Sequence, residues 1–203
     1  VKVAVWGFGA MGSGVVRALL GKKGVDVVGV CDLHPARVGR SIFEVLGTER
    51  GGREEVIVSA DIDAVVRAGE CDICVIATDS FTAKVFDKVM RIVGKGVNVI
   101  TTAEEMAYPK AGEPELAARM DAAAREHGVS VLGTGVNPGL IMDILALCLS
   151  GGMTDVEFVQ CRRVNSLSPF GVAVMEEQGV GLPVDEFEAR VADGSMAGHV
   201  GFK

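Results

Sequence analysis

Three glycines in Gly7-Phe8-Gly9-Ala10-Met11-Gly12, an aspartate at Asp32 and an adjacent carboxylate pair, Glu104-Glu105, are the residues whose types and spacing could do chemistry. Glycines so placed let a backbone turn tightly, approach a pyrophosphate and pack a helix closely, and the N–H groups at a helix start favour anions. An acid about twenty residues past the third glycine is where a carboxylate would hold a ribose hydroxyl, and Asp32 stands there. Two neighbouring carboxylates can move a proton or meet a cationic group, although acids also favour the start of a short helix. In Gly133-Thr134-Gly135-Val136-Asn137-Pro138-Gly139, small residues leave room for a flat ring. Asn137 there offers a donor and an acceptor to a carboxamide, and Pro138 fixes the turn.

Those residues gain meaning from the elements that must position them. With 27 glycines in 203 residues a three-glycine pattern arises by chance, so the flanks decide. Val1, Val3 and Val5 alternate with Lys2 and Ala4, as a short strand of a buried parallel sheet would. Met11, Val15, Ala18 and Leu19 then recur at helical spacing, with Ser13 and Arg17 opposite and Gly21 ending the run. A second strand over 25–31 leads into Asp32. Strand, glycine turn, helix, strand and acid thus follow the order of a dinucleotide-binding unit. Aspartate at this position favours the free 2′-hydroxyl of NAD, whereas His34 and Arg37 stand near enough in sequence to meet the 2′-phosphate of NADP. The reading leans to NAD and keeps NADP open.

Downstream, strand patterns over 56–59, 73–77, 97–101 and 129–132 alternate with helix patterns over 62–68, 82–93, 113–127 and 140–149, and 39–55 reads as a helix plus surface loop. Such alternation predicts an α/β chain with a doubly wound parallel sheet, the Rossmann arrangement. Its ligand loops all lie at the carboxyl edge of the strands. Candidate dinucleotide contacts are therefore Gly7, Phe8, Gly9, Ala10, Met11, Gly12, Asp32, Arg37, Ala77, Thr78, Thr102, Asn137 and Pro138. Thr78 offers a hydroxyl to ribose or phosphate; Asp79 and Ser80 either join it or cap the next helix. Glu104, with Glu105 in reserve, follows a buried strand on the side where a nicotinamide would lie, and is the candidate acid/base or partner of a cationic substrate. A solvated loop is the alternative for this pair.

The dinucleotide-binding domain is expected over 1–150. From Asp155 the texture changes: 156–164 reads as a strand, 166–171 as a turn and 183–192 as a helix. This is the expected start of a second α+β domain for substrate and dimerisation, over 151–203, and one strand with one or two helices leaves it incomplete.

A hydrophobic fraction of 49% supplies a substantial core, and a net charge of −7 without any lysine and arginine block argues against a nucleic-acid partner. The longest apolar stretch, 140–149, is interrupted by Asp143 and is too short to span a bilayer. The chain opens in a strand rather than a secretory pattern. A cytoplasmic protein without membrane contact is expected. Five cysteines, an odd count, fall in or beside apolar segments and read as small buried hydrophobes. Cys71-Asp72-Ile73-Cys74 has the CxxC spacing, but strand alternation would turn the two thiols to opposite faces, and no second pair completes a metal site. No metal is expected.

On GFGAMG at 7–12, TTAEEMAYP at 101–109 and GTGVNPG at 133–139, the chain resembles the 2,4-diaminopentanoate dehydrogenases and related native amine dehydrogenases, dihydrodipicolinate-reductase-like NAD(P)-binding proteins. The resemblance runs over almost the whole chain, and the last two motifs are the more specific. It implies oxidative deamination of a small amine or amino-acid substrate with NAD or NADP, releasing ammonia, or the reverse reductive amination of a ketone. It also implies that a glutamate after the fifth strand handles the amine or imine; Glu104 matches that position best, and Glu105 is second. Full-length members extend beyond 203 residues, and a homodimer is the expected state of such a form. The paired histidines and lysine of dihydrodipicolinate reductase proper are not recognisable. Two alternatives remain: a homoserine-dehydrogenase-like or other amino-acid dehydrogenase on the same scaffold, and a nucleotide-sensing module without catalysis.

Overall fold

Six short β-branched runs form the strands β1 (Lys2–Trp6), β2 (Asp26–Cys31), β3 (Val58–Ser59), β4 (Ile73–Ile76), β5 (Asn98–Thr101) and β6 (Val131–Gly133) of one sheet. They are seen in a computed structural model that describes residues 1–164, 166–168, 175–176, 178–193 and 195–196. Every pairing between these strands is parallel and the strand order is β3-β2-β1-β4-β5-β6, so the chain reverses its winding direction at β1 and β4. That reversal opens a crevice at the carboxyl ends of the two strands, where open α/β sheets take ligands. The connections carry α1 (Ala10–Leu20), α2 (Ile42–Leu46), α3 (Ile62–Val65), α4 (Thr82–Val93), α5 (Pro109–Gly112) and α6 (Pro114–Glu126).

Period-two alternation sends successive side chains to opposite faces of the sheet. Val3, Val5 and Val75 join Phe8, Val16, Ile42 and Phe43 on one side. Ala4, Cys74 and Ile76 join Val85, Val89, Ile92 and Met120 on the other. Helix ends follow local chemistry: the Ser41 hydroxyl accepts the Phe43 N–H at 3.2 Å to start α2, and Gly47, at φ 62°, ends it in the left-handed conformation. Ile76 is fully buried at the centre of the sheet. Ile76→Ala should cost about 2–5 kcal/mol, read as a lower urea midpoint at unchanged slope.

Several expectations need correction. The helix expected over 62–68 is a single turn, because Val66 turns extended (φ −107°, ψ 103°) and is wholly buried. Cys71 lies ahead of β4, so alternation does not separate it from Cys74. Both pack in the same core cluster with Cys31. Burial pushes all three thiols up, Cys31 to about 11, which holds them protonated and unreactive.

The chain divides into two compact units, Val1–Gly135 and Val136–Lys203. In the second, Asn137 and Pro138 are extended, Gly139 takes φ 128°, and the Gly139 N–H donates to Asp143 Oδ2 at 2.6 Å as the apolar helix begins. That helix continues into α7 (Leu145–Ser150), and α8 (Val184–Ala192) follows where the sequence places a helix. The strand expected over 156–164 is not formed: the segment has no ladder partner among the described residues and leaves Phe158 78% and Val164 98% exposed. Alternation supplies an apolar face, but only a neighbouring strand supplies the hydrogen bonds that hold one. The expected turn at 166–171 lies partly outside the described residues. No helix among the described residues is long and apolar enough to cross a membrane.

Candidate functional site

The three fingerprint glycines are required for three different reasons. Gly7 takes φ +99°, and a Cβ there would lie 2.5 Å from the Ala77 carbonyl oxygen. At Gly12 a Cβ would sit 1.8 Å from the Gly7 oxygen, so the first turn of α1 rests directly on the loop. Gly9 is different: a Cβ there meets nothing within 4 Å. The space above Gly9 is an open cradle, and Gly9 is the N-cap of α1. Neither a capping side chain nor a first-turn acid occupies that helix start, which leaves its outward N–H groups and positive dipole end for an anion. Phe8 anchors the loop from beneath with a fully buried ring.

Asp32 closes the other side. Its Oδ2 accepts the Phe8 N–H at 2.5 Å, its Oδ1 accepts the His34 N–H at 2.7 Å, and Arg37 Nη1 approaches Oδ2 at 3.3 Å. Burial works to raise this carboxyl, but the His34 and Phe8 N–H groups and the Arg37 charge outweigh it and hold it below its ordinary value. A carboxyl depressed in the folded state stabilises fully above its ordinary range, and that contribution is lost as pH falls through the folded value. The melting-temperature gap between wild type and Asp32→Asn should therefore be widest near neutrality and close below about pH 4, as read by thermal melts across that range.

Asp32, Leu33, Arg37, Trp6, Gly9 and Lys88 share a cleft of about 350 Å³ that also includes Ala77 and Thr78. Leu33, 77% exposed, offers an apolar face beside the acid. Lys88 reaches back along α4 to the Thr78 hydroxyl at 2.9 Å and pairs with Asp79. Burial works to raise the Asp79 carboxyl, and the Lys88 and Thr78 hydrogen bonds overcome it and hold it low. Neither Asp79 nor Ser80 caps α4, whose N-cap is Phe81 without a side-chain bond. Trp6, the single tryptophan of the sequence, is a built-in optical reporter for this cleft. A larger cavity of about 550 Å³ lies along β6, but it includes neither the glycine loop nor Asp32.

After β5, Thr101 is fully buried and its hydroxyl accepts the Ala103 N–H at 3.1 Å. Thr102 donates its N–H to the Ile76 carbonyl at 3.1 Å. Glu104 and Glu105 then open a 3₁₀ turn, Glu104–Ala107, so the expected loop does carry a helix start. Glu104 is half-buried between buried Ala103 and Met106. The Glu105 carboxylate accepts the Thr82 N–H at 2.8 Å. Asn137 and Pro138 belong to the second unit, and the Asn137 Nδ2 is buried without an acceptor among the described residues. Sequence reasoning missed Lys88, Leu33 and Trp6. Leu33 could have been found as an apolar residue beside the ribose acid, whereas no local spacing signals Lys88.

An open glycine cradle at a switch point of a parallel sheet, with an acid at the end of the second strand, defines the dinucleotide-binding class of Rossmann proteins. Residues 1–134 match the oxidoreductase family with an NAD-binding Rossmann fold, and the chain belongs to that family. Its cofactor is a nicotinamide dinucleotide, NAD or NADP, and the open Gly9 cradle and uncapped α1 fit the pyrophosphate of such a group.

Within the family the chain is similar to a more particular set of proteins. Residues 140–203 match the 2,4-diaminopentanoate dehydrogenase C-terminal domain. The chain is 54% identical over 202 residues to the 2,4-diaminopentanoate dehydrogenase of Acetoanaerobium sticklandii, covering 100% of this chain and 57% of that one. It is 29% identical over 194 residues to the amine dehydrogenase of Streptomyces virginiae, covering 91% and 52%. The amine dehydrogenase of Mycobacterium smegmatis superposes with a TM-score of 0.74 at 32% identity, covering 95% of this chain and 56% of that one. The chain thus spans little more than half the length of these relatives.

Proposed function

We propose that the protein is an NAD(P)-dependent amine dehydrogenase that oxidatively deaminates a small amine or amino-acid substrate, such as 2,4-diaminopentanoate, and releases ammonia. The observation that carries this reading is the 54% identity, over the whole chain, to a protein of that activity. The C-terminal-domain match over 140–203 favours it over a homoserine-dehydrogenase-like activity and over a sensor.

In this reading Gly7, Phe8, Gly9, Ala10, Met11 and Gly12 hold the pyrophosphate with Ala77 and Thr78, Asp32 takes the ribose, and Thr102 borders the nicotinamide. The buried Asn137 amide, its backbone restrained by Pro138, suits a carboxamide oxygen. NAD is the preferred form, because Asp32 is held ionised and Arg37 is already paired with it; NADP is accepted when Arg37 turns to the 2′-phosphate. When bound, the nicotinamide supplies the hydride acceptor. The Glu104 carboxylate opposes the positive charge that builds at the substrate nitrogen, then takes a proton from the water that attacks the imine carbon. The full-length form is a homodimer, and three buried free thiols suit a reducing cytoplasm.

The test is NAD and NADP reduction at alkaline pH with 2,4-diaminopentanoate and a panel of other amines and amino acids. It is run on this polypeptide beside the longest form its gene encodes, with Trp6 fluorescence reporting dinucleotide binding. Turnover by the longer form supports the reading. Binding without turnover of any amine in either form overturns it in favour of a sensor, and turnover of homoserine alone favours the other dehydrogenase.

A further inference from the structure

Helix α4 starts without local help. Phe81 is its N-cap and provides no side-chain acceptor, and Asp79 is engaged by Lys88. The need is met from 23 residues away, where Glu105 Oε2 accepts the Thr82 N–H at 2.8 Å. The Glu105 N–H in turn donates to the Ser80 carbonyl at 3.1 Å. Two hydrogen bonds running in opposite directions thus clip the turn after β5 to the loop after β4. Both sides of the clip are anchored: Thr82 is fully buried, and Met106, next to Glu105, is 3% exposed. The far end of the β4 loop is held separately, by Lys88 on Thr78 and Asp79 and by the Ala77 N–H on the Trp6 carbonyl at 2.8 Å.

We propose that Glu105 is a positioning residue: as the acceptor for Thr82 N–H it locks the turn bearing Glu104 to the loop bearing Ala77 and Thr78, and so sets Glu104 against the bound dinucleotide. The inference rests on the reading of Glu104 given above. It removes Glu105 from the acid/base candidates, because its carboxylate is committed to a helix start where a negative charge is favoured. The dinucleotide does not depend on the clip, since residues 77–79 keep their own restraints. What shifts when the clip is lost is Glu104, and a displacement of about 1 Å at a reacting group costs on the order of 10²-fold in rate.

An acceptor oxygen and an ionisable acid are separable by substitution. Glu105→Gln keeps an oxygen for Thr82 N–H and should hold kcat within a few-fold, with the pH profile of wild type. Glu105→Ala should lower kcat about 10- to 100-fold, with dinucleotide affinity by Trp6 fluorescence unchanged. Thr82→Pro deletes the donor N–H at the first helical residue, where proline is tolerated. The Thr82 hydroxyl has no hydrogen-bond partner among the described residues. This variant should reproduce Glu105→Ala, and the double variant should be no slower than either single one.

A readout independent of turnover is hydrogen exchange of the 80–84 amides, which Glu105→Ala should accelerate and Glu105→Gln should not. All variants are made in the longest form of the polypeptide. Exchange in Glu105→Ala equal to wild type overturns the clip, as does additivity of the two single substitutions. Equal losses in the Gln and Ala variants with a vanished pH limb would make Glu105 the acid/base instead. If wild type turns over no amine, the proposed function falls, and exchange still decides the clip.

Discussion

Glu104→Gln is expected to lower kcat about 10²- to 10⁴-fold and to leave dinucleotide affinity unchanged. The amide is nearly isosteric with the carboxylate, but it neither opposes the charge that builds at the substrate nitrogen nor takes a proton from water. The fold should tolerate the change. Buried Ala103 and Met106 flank the position, and the Thr101 hydroxyl and the Glu105 clip fix the turn through residues other than Glu104. The measurement is steady-state kinetics on the longest form of the polypeptide, with a Trp6 titration of NAD and NADP and a thermal melt as controls. A fall confined to kcat, with KM for the dinucleotide intact, places the loss in the chemical step. Turnover equal to wild type at normal stability would remove Glu104 from the mechanism.

Glu105 is a carboxylate of the same type one residue on, and the sequence places it only as a reserve to Glu104. Their difference is made by topology. Parallel strands β4 and β5 are neighbours, with Ile76 opposite Thr101, so the loops that leave them run side by side and Glu105 meets the start of α4. A contact across 23 residues has no periodicity, and the same is true of Lys88 on Asp79.

What was legible is what repeats. Helix α4 could be read to both ends because Val85, Phe86, Val89, Ile92 and Val93 recur on one face. The strands could be read because buried parallel strands are short β-branched runs. Where the signal depended on something outside the segment, the reading failed. The alternation of 156–164 names an apolar face but not a partner strand. The faces of Cys71 and Cys74 depended on where β4 begins. Residues 104–112, rich in acids, proline and glycine, carry no apolar period, and their 3₁₀ turn and α5 were not foreseen as separate elements.

Gly9→Asp is expected to separate binding from folding within a single loop. No atom lies within 4 Å of a Cβ at this position, and its backbone, at φ −69° and ψ −160°, is open to any residue. An aspartate there becomes the N-cap of α1, a site where acids rank at or above glycine by a few tenths of a kcal/mol. Stability by urea denaturation should therefore match or slightly exceed that of wild type. The new carboxylate, however, fills the cradle, accepts the N–H groups intended for phosphate and adds a like charge beside the pyrophosphate. Affinity for NAD and NADP should fall at least about 100-fold, a loss of roughly 2.7 kcal/mol. Gly12→Ala supplies the contrast, since its methyl would lie 1.8 Å from the Gly7 oxygen and must displace α1 from the loop. That variant should lose stability and binding together. Trp6 fluorescence and denaturation on both proteins read the two outcomes, and a Gly9→Asp protein that still binds dinucleotide at wild-type strength would place the pyrophosphate somewhere other than the start of α1.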